Sequence, residues 1–259
     1  MSLPLRVLKL AGVQIPYRTR YADTFRYFGA YDSTSAAPDP APDPVYVRDK
    51  DWEEHLAAGM VPGAYSEYSL LTFPVSDALM DLNRVVIHGV ALRWRDRAWL
   101  ICAESGVGKS TQARWLRELR PGEFGIISGD RPILEFPPAP PSVILSAAKN
   151  PFPPPPASIL VHPSPWNGKE NWYGAPAAEL AGVILLRRGE QNRLYALSPE
   201  EAAISLYTKL LQTAYEPQRL IQAAAYATRI LEQVPLWQLL THRPPDSTQL
   251  LLEAVFRDA

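Results

Sequence analysis

The stretch from Ala98 to Leu116 constrains this chain more than any other. An apolar run, Ala98-Trp99-Leu100-Ile101-Cys102, leads into Ala103-Glu104-Ser105-Gly106-Val107-Gly108-Lys109-Ser110-Thr111, and Gln112-Ala113-Arg114-Trp115-Leu116 then reads as the start of a helix. A strand, a glycine-rich loop and a helix in that order build a cradle for phosphate groups. Gly106 and Gly108 permit backbone angles closed to other residues, so the loop N–H groups and the helix N-terminus can face one anion. In such a loop Lys109 reaches the β- and γ-phosphates and the Ser110 hydroxyl ligates Mg²⁺. Ser105, Gly106, Val107, Gly108 and Thr111 complete the nucleotide contacts. The pattern G-x-x-x-x-G-K-[ST] departs at its first position, held by Ala103. The alternative is a glycine-rich turn that happens to contain a lysine; the strand before it and the helix after it favour the cradle.

The chain has 259 residues, 47% of them apolar, enough for one large α/β domain with or without a small appendage. A net charge of −1 with interspersed signs gives no basic stripe for nucleic acid and no polybasic membrane patch. The single cysteine, Cys102, cannot form an internal disulfide and reads as a small core residue. The start Met1-Ser2-Leu3-Pro4-Leu5-Arg6 has no basic region followed by an apolar run. No stretch approaches the roughly eighteen apolar residues of a membrane span. The expectation is a soluble cytoplasmic protein without nucleic-acid or membrane partners, with homo-oligomerisation left open. Only six lysines occur, and two follow glycine, Lys109 and Lys169.

Along the chain, 5–15 reads as a first strand and 33–44 as a proline-rich polar loop. Val45-Tyr46-Val47 reads as a short strand, and 51–55 as a helical turn capped by Asp51. The stretches 66–73 and 84–94 read as strands, as does 124–128. Twelve prolines fall between Pro132 and Pro165, and about 138–157 reads as an exposed insert. Core strands are expected at 158–161 and 182–186. Ser198-Pro199-Glu200-Glu201 opens a helix to about Thr213. A second helix spans 217–233, 235–240 is a late strand, and a terminal helix runs from Asp246 to near Arg257. The domain reading is a β-rich N-terminal extension at 1–80 joined to a unit at 81–259 that holds the loop.

Four features gain meaning beside the loop. His88, on a strand folded back by a hairpin onto 98–102, can bond phosphate or share a proton with Asp130; otherwise it is a structural histidine. Asp130 ends the strand 124–128, where it can hold Mg²⁺ or accept a hydroxyl proton; otherwise it is a turn residue. Ser164-Pro165-Trp166-Asn167-Gly168-Lys169-Glu170-Asn171 combines a turn, a tryptophan that looks exposed, and Lys169, whose charge can stabilise a transferred phosphoryl group; the alternative is a plain hairpin. Arg187-Arg188 closes a strand and can clamp phosphate or simply be solvated.

The run Ile87-His88-Gly89-Val90 followed by Glu104-Ser105-Gly106-Val107-Gly108-Lys109-Ser110, with 21 residues from His88 to Lys109, resembles the HPr serine kinase/phosphorylase superfamily, related in fold to ATP-dependent phosphoenolpyruvate carboxykinase. Gly129-Asp130, Pro165-Trp166-Asn167-Gly168-Lys169-Glu170, Leu197-Ser198-Pro199-Glu200-Glu201-Ala202 and Val234-Pro235-Leu236-Trp237-Gln238-Leu239 are similar to the looser HPr-kinase-like proteins encoded among bacterial peptide-modification genes. The resemblance covers about 84–256. Gly129 stands where HPr kinases carry the first of two acidic residues, Thr111 where they carry Glu, and Ala103 where they carry Gly. Their C-terminal substrate signature is absent from the sequence. These departures point away from HPr as substrate and from the carboxykinase reaction.

The resemblance implies an α/β fold with a twisted mixed sheet around the loop and C-terminal helices. It implies ATP-dependent phosphoryl transfer to a hydroxyl, a serine of a peptide or protein or a small-molecule alcohol. Mg²⁺ would sit on Ser110 and Asp130, His88 would assist Asp130, and Lys169 would contact the transferred group. The alternatives are an ATP-binding accessory protein of peptide maturation without transfer and a simple P-loop ATPase.

Overall fold

The structure, a computed structural model, describes residues 5–34, 42–138 and 158–257. The N-terminal part begins with β1 (Arg6–Leu10) and β2 (Val13–Tyr17), a 3-10 segment (Thr24–Tyr31) and β3 (Asp32–Ser33). Helices α1 (Asp49–Ala57), α2 (Ala64–Leu70) and α3 (Thr72–Met80) follow. Next come β4 (Arg84–Ile87), β5 (Val90–Trp94), β6 (Arg97–Cys102), α4 (Lys109–Leu119), β7 (Phe124–Ser128) and β8 (Ile133–Glu135). The remainder is β9 (Leu160–His162), β10 (Ala178–Arg188), β11 (Arg193–Ala196), α5 (Pro199–Tyr207), β12 (Leu210–Leu211), α6 (Pro217–Gln233), β13 (Leu236–Thr241) and α7 (Pro244–Ala254).

Ten of the strands form one mixed sheet, ordered β12-β4-β8-β9-β10-β6-β5-β7, with β13 also beside β10 and β11 beside β13. The centre is parallel: β10 runs with β6 on one side and with β13 on the other. All other pairs are antiparallel. Parallel strands need both faces covered, and the sequence provides for it. In β6, Ala98, Leu100 and Cys102 face a core shared with Ala202 and Leu206 of α5 and with Ala223, Tyr226 and Ile230 of α6. Trp99 and Ile101 face the opposite core, shared with Ala113 and Leu116 of α4 and with Leu251, Leu252 and Phe256 close to the chain end. Helices therefore cover both faces of an α/β sheet. The carboxyl ends of β6, β10 and β13 emerge on one side.

The N-terminal strands make a separate three-stranded sheet, β2-β1-β3. It packs with Trp52 of α1 and Leu71, Val75 and Leu79 onto Val86, Ile133 and Trp166 of the larger unit. Several sequence readings are corrected here. The stretch 66–73 is not a strand but spans α2 and the start of α3. Glu67 is buried there and accepts bonds from the Tyr21 N–H at 3.0 Å and the Thr24 hydroxyl at 2.6 Å, while Pro74 sits in the first turn of α3, where its missing N–H costs nothing. The span 5–15 is a hairpin turning at Ala11-Gly12 rather than one strand. Val45 makes a single bridge to Tyr17. The cap of α1 is Arg48; Asp51 lies inside the helix and accepts the Arg48 N–H at 3.0 Å. The helix from Pro199 stops at Tyr207, because Leu210-Leu211 leave it to pair with Val86-Ile87. The proline-rich insert lies, but for Pro138, outside the described residues.

Candidate functional site

The loop 103–108 leaves β6 at the carboxyl edge of the parallel centre. Ala103 is buried and is not among the described residues with positive φ, so its methyl group meets no backbone strain there. Gly106 and Gly108 do take positive φ, +75° and +120°, and Gly108 caps α4. At Gly108 any side chain would be strained. Val107 packs against the core under α4 and α7. The Gln112 N–H makes an intrahelical bond to the Gly108 carbonyl at 2.9 Å. The N–H groups ahead of it, on the first turn carrying Ser110 and Thr111, have no partner within the helix. Positive helix-end charge thus opens onto the loop. Arg188, at the end of β10, donates to the Gly106 carbonyl at 2.8 Å and braces the loop from outside.

Lys109 does not project into solvent. Its side chain folds back under the loop, with Nζ 3.2 Å from the Ala103 carbonyl and 3.1 Å from His88 Nε2. His88 and Gly89 interrupt the run 84–94 between β4 and β5. The His88 N–H bonds the Lys209 carbonyl at 2.7 Å, and the Gly89 N–H bonds the Asp130 carbonyl at 2.8 Å. A Cβ on Gly89 would lie 2.8 Å from Cys102 Sγ, so this crossing needs glycine. His88 Nε2 is also 3.3 Å from Asp130 Oδ1, and Arg131 Nε is 3.4 Å from Asp130 Oδ2.

His88 Nε2 therefore faces two partners that it cannot serve alike. Without a proton it accepts from the Lys109 ammonium; with one it donates to Asp130. Burial pulls the Lys109 pKa below its ordinary value, against the attraction of Asp130. Burial works to raise the Asp130 pKa, but the hydrogen bond from His88 and the charges of Arg131, His88 and Lys109 outweigh it and hold the carboxyl below the usual range. Cys102, fully buried beneath the loop, has its thiol pushed up to about 12 by burial and is no nucleophile.

The turn 164–171 lies over Asp130, but not as the sequence suggested. Trp166 is buried, not exposed; it stacks on Tyr68 and donates from Nε1 to the Tyr68 carbonyl at 2.9 Å. Its carbonyl accepts the Arg131 N–H at 3.1 Å. A Cβ at Gly129 would lie 2.6 Å from the Asn167 carbonyl oxygen, so no second acidic side chain fits beside Asp130. Lys169 is exposed, and no hydrogen bond or ion pair among the described residues ties it to the Lys109–His88–Asp130 cluster. Sequence reading thus brought together the loop, His88 and Asp130. It missed Arg131, which also donates to the Thr72 hydroxyl at 2.5 Å, and it missed Lys209, ion-paired with Glu104 on the loop.

Two cavities flank the loop. One of about 400 Å³ is bordered by Gly106, Thr111, Gln112, Arg188, Thr241 and His242. The other, of about 240 Å³, lies between the loop and α5. Strand alternation sends the neighbouring Arg187 and Arg188 to different cavities.

No protein-family model and no curated protein sequence matches the chain. Among solved structures, the HPr(Ser) kinase/phosphatase from Coxiella burnetii aligns with a TM-score of 0.34 and 12% identity, covering 66% of this chain and 88% of that one. Among the described residues, no helix is long and apolar enough to cross a membrane.

Proposed function

We propose that the chain is an ATP-dependent phosphotransferase acting on a hydroxyl of a peptide, a protein or a small molecule. The observation that carries this reading is the convergence of Lys109, His88 and Asp130 under a loop whose glycines hold positive φ at a helix N-terminus. The donor set suits a nucleoside triphosphate: helix N–H groups, one buried ammonium and the Ser110 and Thr111 hydroxyls. Among the described residues, no cluster of three or more His, Cys, Asp or Glu side chains could hold a metal alone. Mg²⁺ would therefore rest on Ser110, Asp130 and the phosphates together, and when bound it neutralises charge on them. Asp130, held ionised, can orient the acceptor hydroxyl; as that oxygen bonds the γ-phosphorus, the bond from the γ-phosphorus to the β–γ bridging oxygen breaks, ADP leaves, and the hydroxyl proton can pass to the His88–Asp130 pair. Such a reaction depends mainly on positioning and charge.

One observation favours a second reading, an ATP-binding accessory protein without transfer. Asp130 stands alone, since Gly129 has no room for a side chain. Incubation with γ-labelled ATP and candidate acceptors separates the readings. Label on an acceptor supports transfer, label released as phosphate marks an ATPase, and binding without turnover marks the accessory protein. Lys109→Ala should abolish nucleotide binding; unaltered affinity would remove the loop from the account. Asp130→Asn should keep binding and lose about 10²-fold in turnover; full turnover would remove Asp130 from the chemistry.

A further inference from the structure

Lys209 is a buried cation that the reading above does not use. Its backbone is pinned, with its N–H on the Leu206 carbonyl at 2.9 Å and its carbonyl accepting the His88 N–H at 2.7 Å. The side chain is only 8% exposed, yet the carboxylate paired with it, Glu104, is 78% exposed and belongs to the loop itself. Burying an ammonium is costly unless a partner compensates fully, and a water-exposed carboxylate is a weak, screened partner. Lys209 borders the 240 Å³ cavity together with Ala103, Glu104, Arg187, Ser205 and Gln238. Ala103 is also the residue whose carbonyl receives the Lys109 ammonium. The Lys109 ammonium thus meets the loop at Ala103, and the Lys209 ammonium meets it at the next residue, Glu104. Like charges repel, and a multiply charged anion that reached both ammonium groups would offset that repulsion.

We propose that Lys209 is a second cationic ligand for the terminal phosphate of the nucleotide, and that Glu104 is its resting counter-ion, displaced when the phosphate arrives. The assignment rests on the nucleotide reading of the loop and adds to it a residue that distinguishes triphosphate from diphosphate. A phosphate offers the buried ammonium more charge and more acceptor oxygens than the exposed carboxylate does.

The test is calorimetric titration of the full chain with ADP and with a non-hydrolysable ATP analogue, in Mg²⁺. A charge-assisted hydrogen bond contributes about 1.5–3 kcal/mol, so Lys209→Gln should weaken the ATP analogue by about tenfold or more and ADP by less than about threefold. Glu104→Gln should tighten the ATP analogue relative to ADP, because no carboxylate competes for Lys209. Equal weakening of both nucleotides by Lys209→Gln, or an analogue-to-ADP ratio unmoved by Glu104→Gln, would overturn the assignment. If the unsubstituted chain binds both nucleotides and Lys109→Ala binds neither while the Lys209→Gln ratio is unchanged, this inference fails and the nucleotide reading stands. If the unsubstituted chain binds neither nucleotide, both fail.

Discussion

At the scale of single residues, Asp130 sets the acid limit of the site. Burial favours its neutral form, but His88, Arg131 and Lys109 together keep its folded pKa below the ordinary 3.8. A carboxyl depressed on folding contributes stability that is fully present above the unfolded pKa and is lost as pH falls through the folded one. The thermal midpoint of the unsubstituted chain should therefore exceed that of Asp130→Asn by a constant margin at neutral pH, and the margin should shrink only below about pH 3.8. A margin already shrinking near pH 6 would mean that the Asp130 carboxyl does not govern the contact. The residues of this cluster were legible unevenly. Lys109 sits in a local motif, and His88 and Asp130 each stand beside a strand that the pattern places near it. Arg131 and Lys209 carry no such signal: Arg131 reads as a turn residue, and Lys209 meets Glu104 across 105 positions of sequence. Only the scarcity of lysine set Lys209 apart at all.

At the scale of elements, local chemistry was readable where it closes on itself. The start of α5 is a capping box: the Glu201 N–H bonds the Ser198 hydroxyl at 3.3 Å, and the Glu201 carboxylate accepts the Ser198 N–H at 2.8 Å. Ser198→Ala should cost about 1 kcal/mol, seen as a lower denaturation midpoint with an unchanged slope. Because α5 delivers Lys209 to the loop, the same variant reports whether its fraying reaches nucleotide affinity. The end of α5 was not readable. Leu210 and Leu211 suit a helix as well as a strand, and the open edge of β4 decides between them. Likewise, the aromatics of 66–73 suit a strand by composition, while burial of Glu67 and Leu71 selects a helix. Tertiary contacts override propensity at both places.

At the scale of the whole molecule, Trp166 joins the two parts of the structure. It lies in the core of the N-terminal layer, edge-on to Phe28 and stacked on Tyr68, while the residues after it cover Gly129 and Asp130. Trp166→Ala should cost about 3–5 kcal/mol, and in protein that still folds it should impair turnover more than nucleotide affinity, since it touches the side of the site away from the glycine loop. Equal loss of both would mean that the N-terminal layer supports the entire site. The parallel centre of the sheet has a different consequence, one for synthesis on the ribosome. Strand β6 and its loop precede their flanking strand β10 by some distance along the chain, and β13, which extends the parallel centre beyond it, follows later still. A nascent chain carries the complete glycine motif long before it carries the walls around it, so a prematurely terminated product would own the signature and lack the pocket.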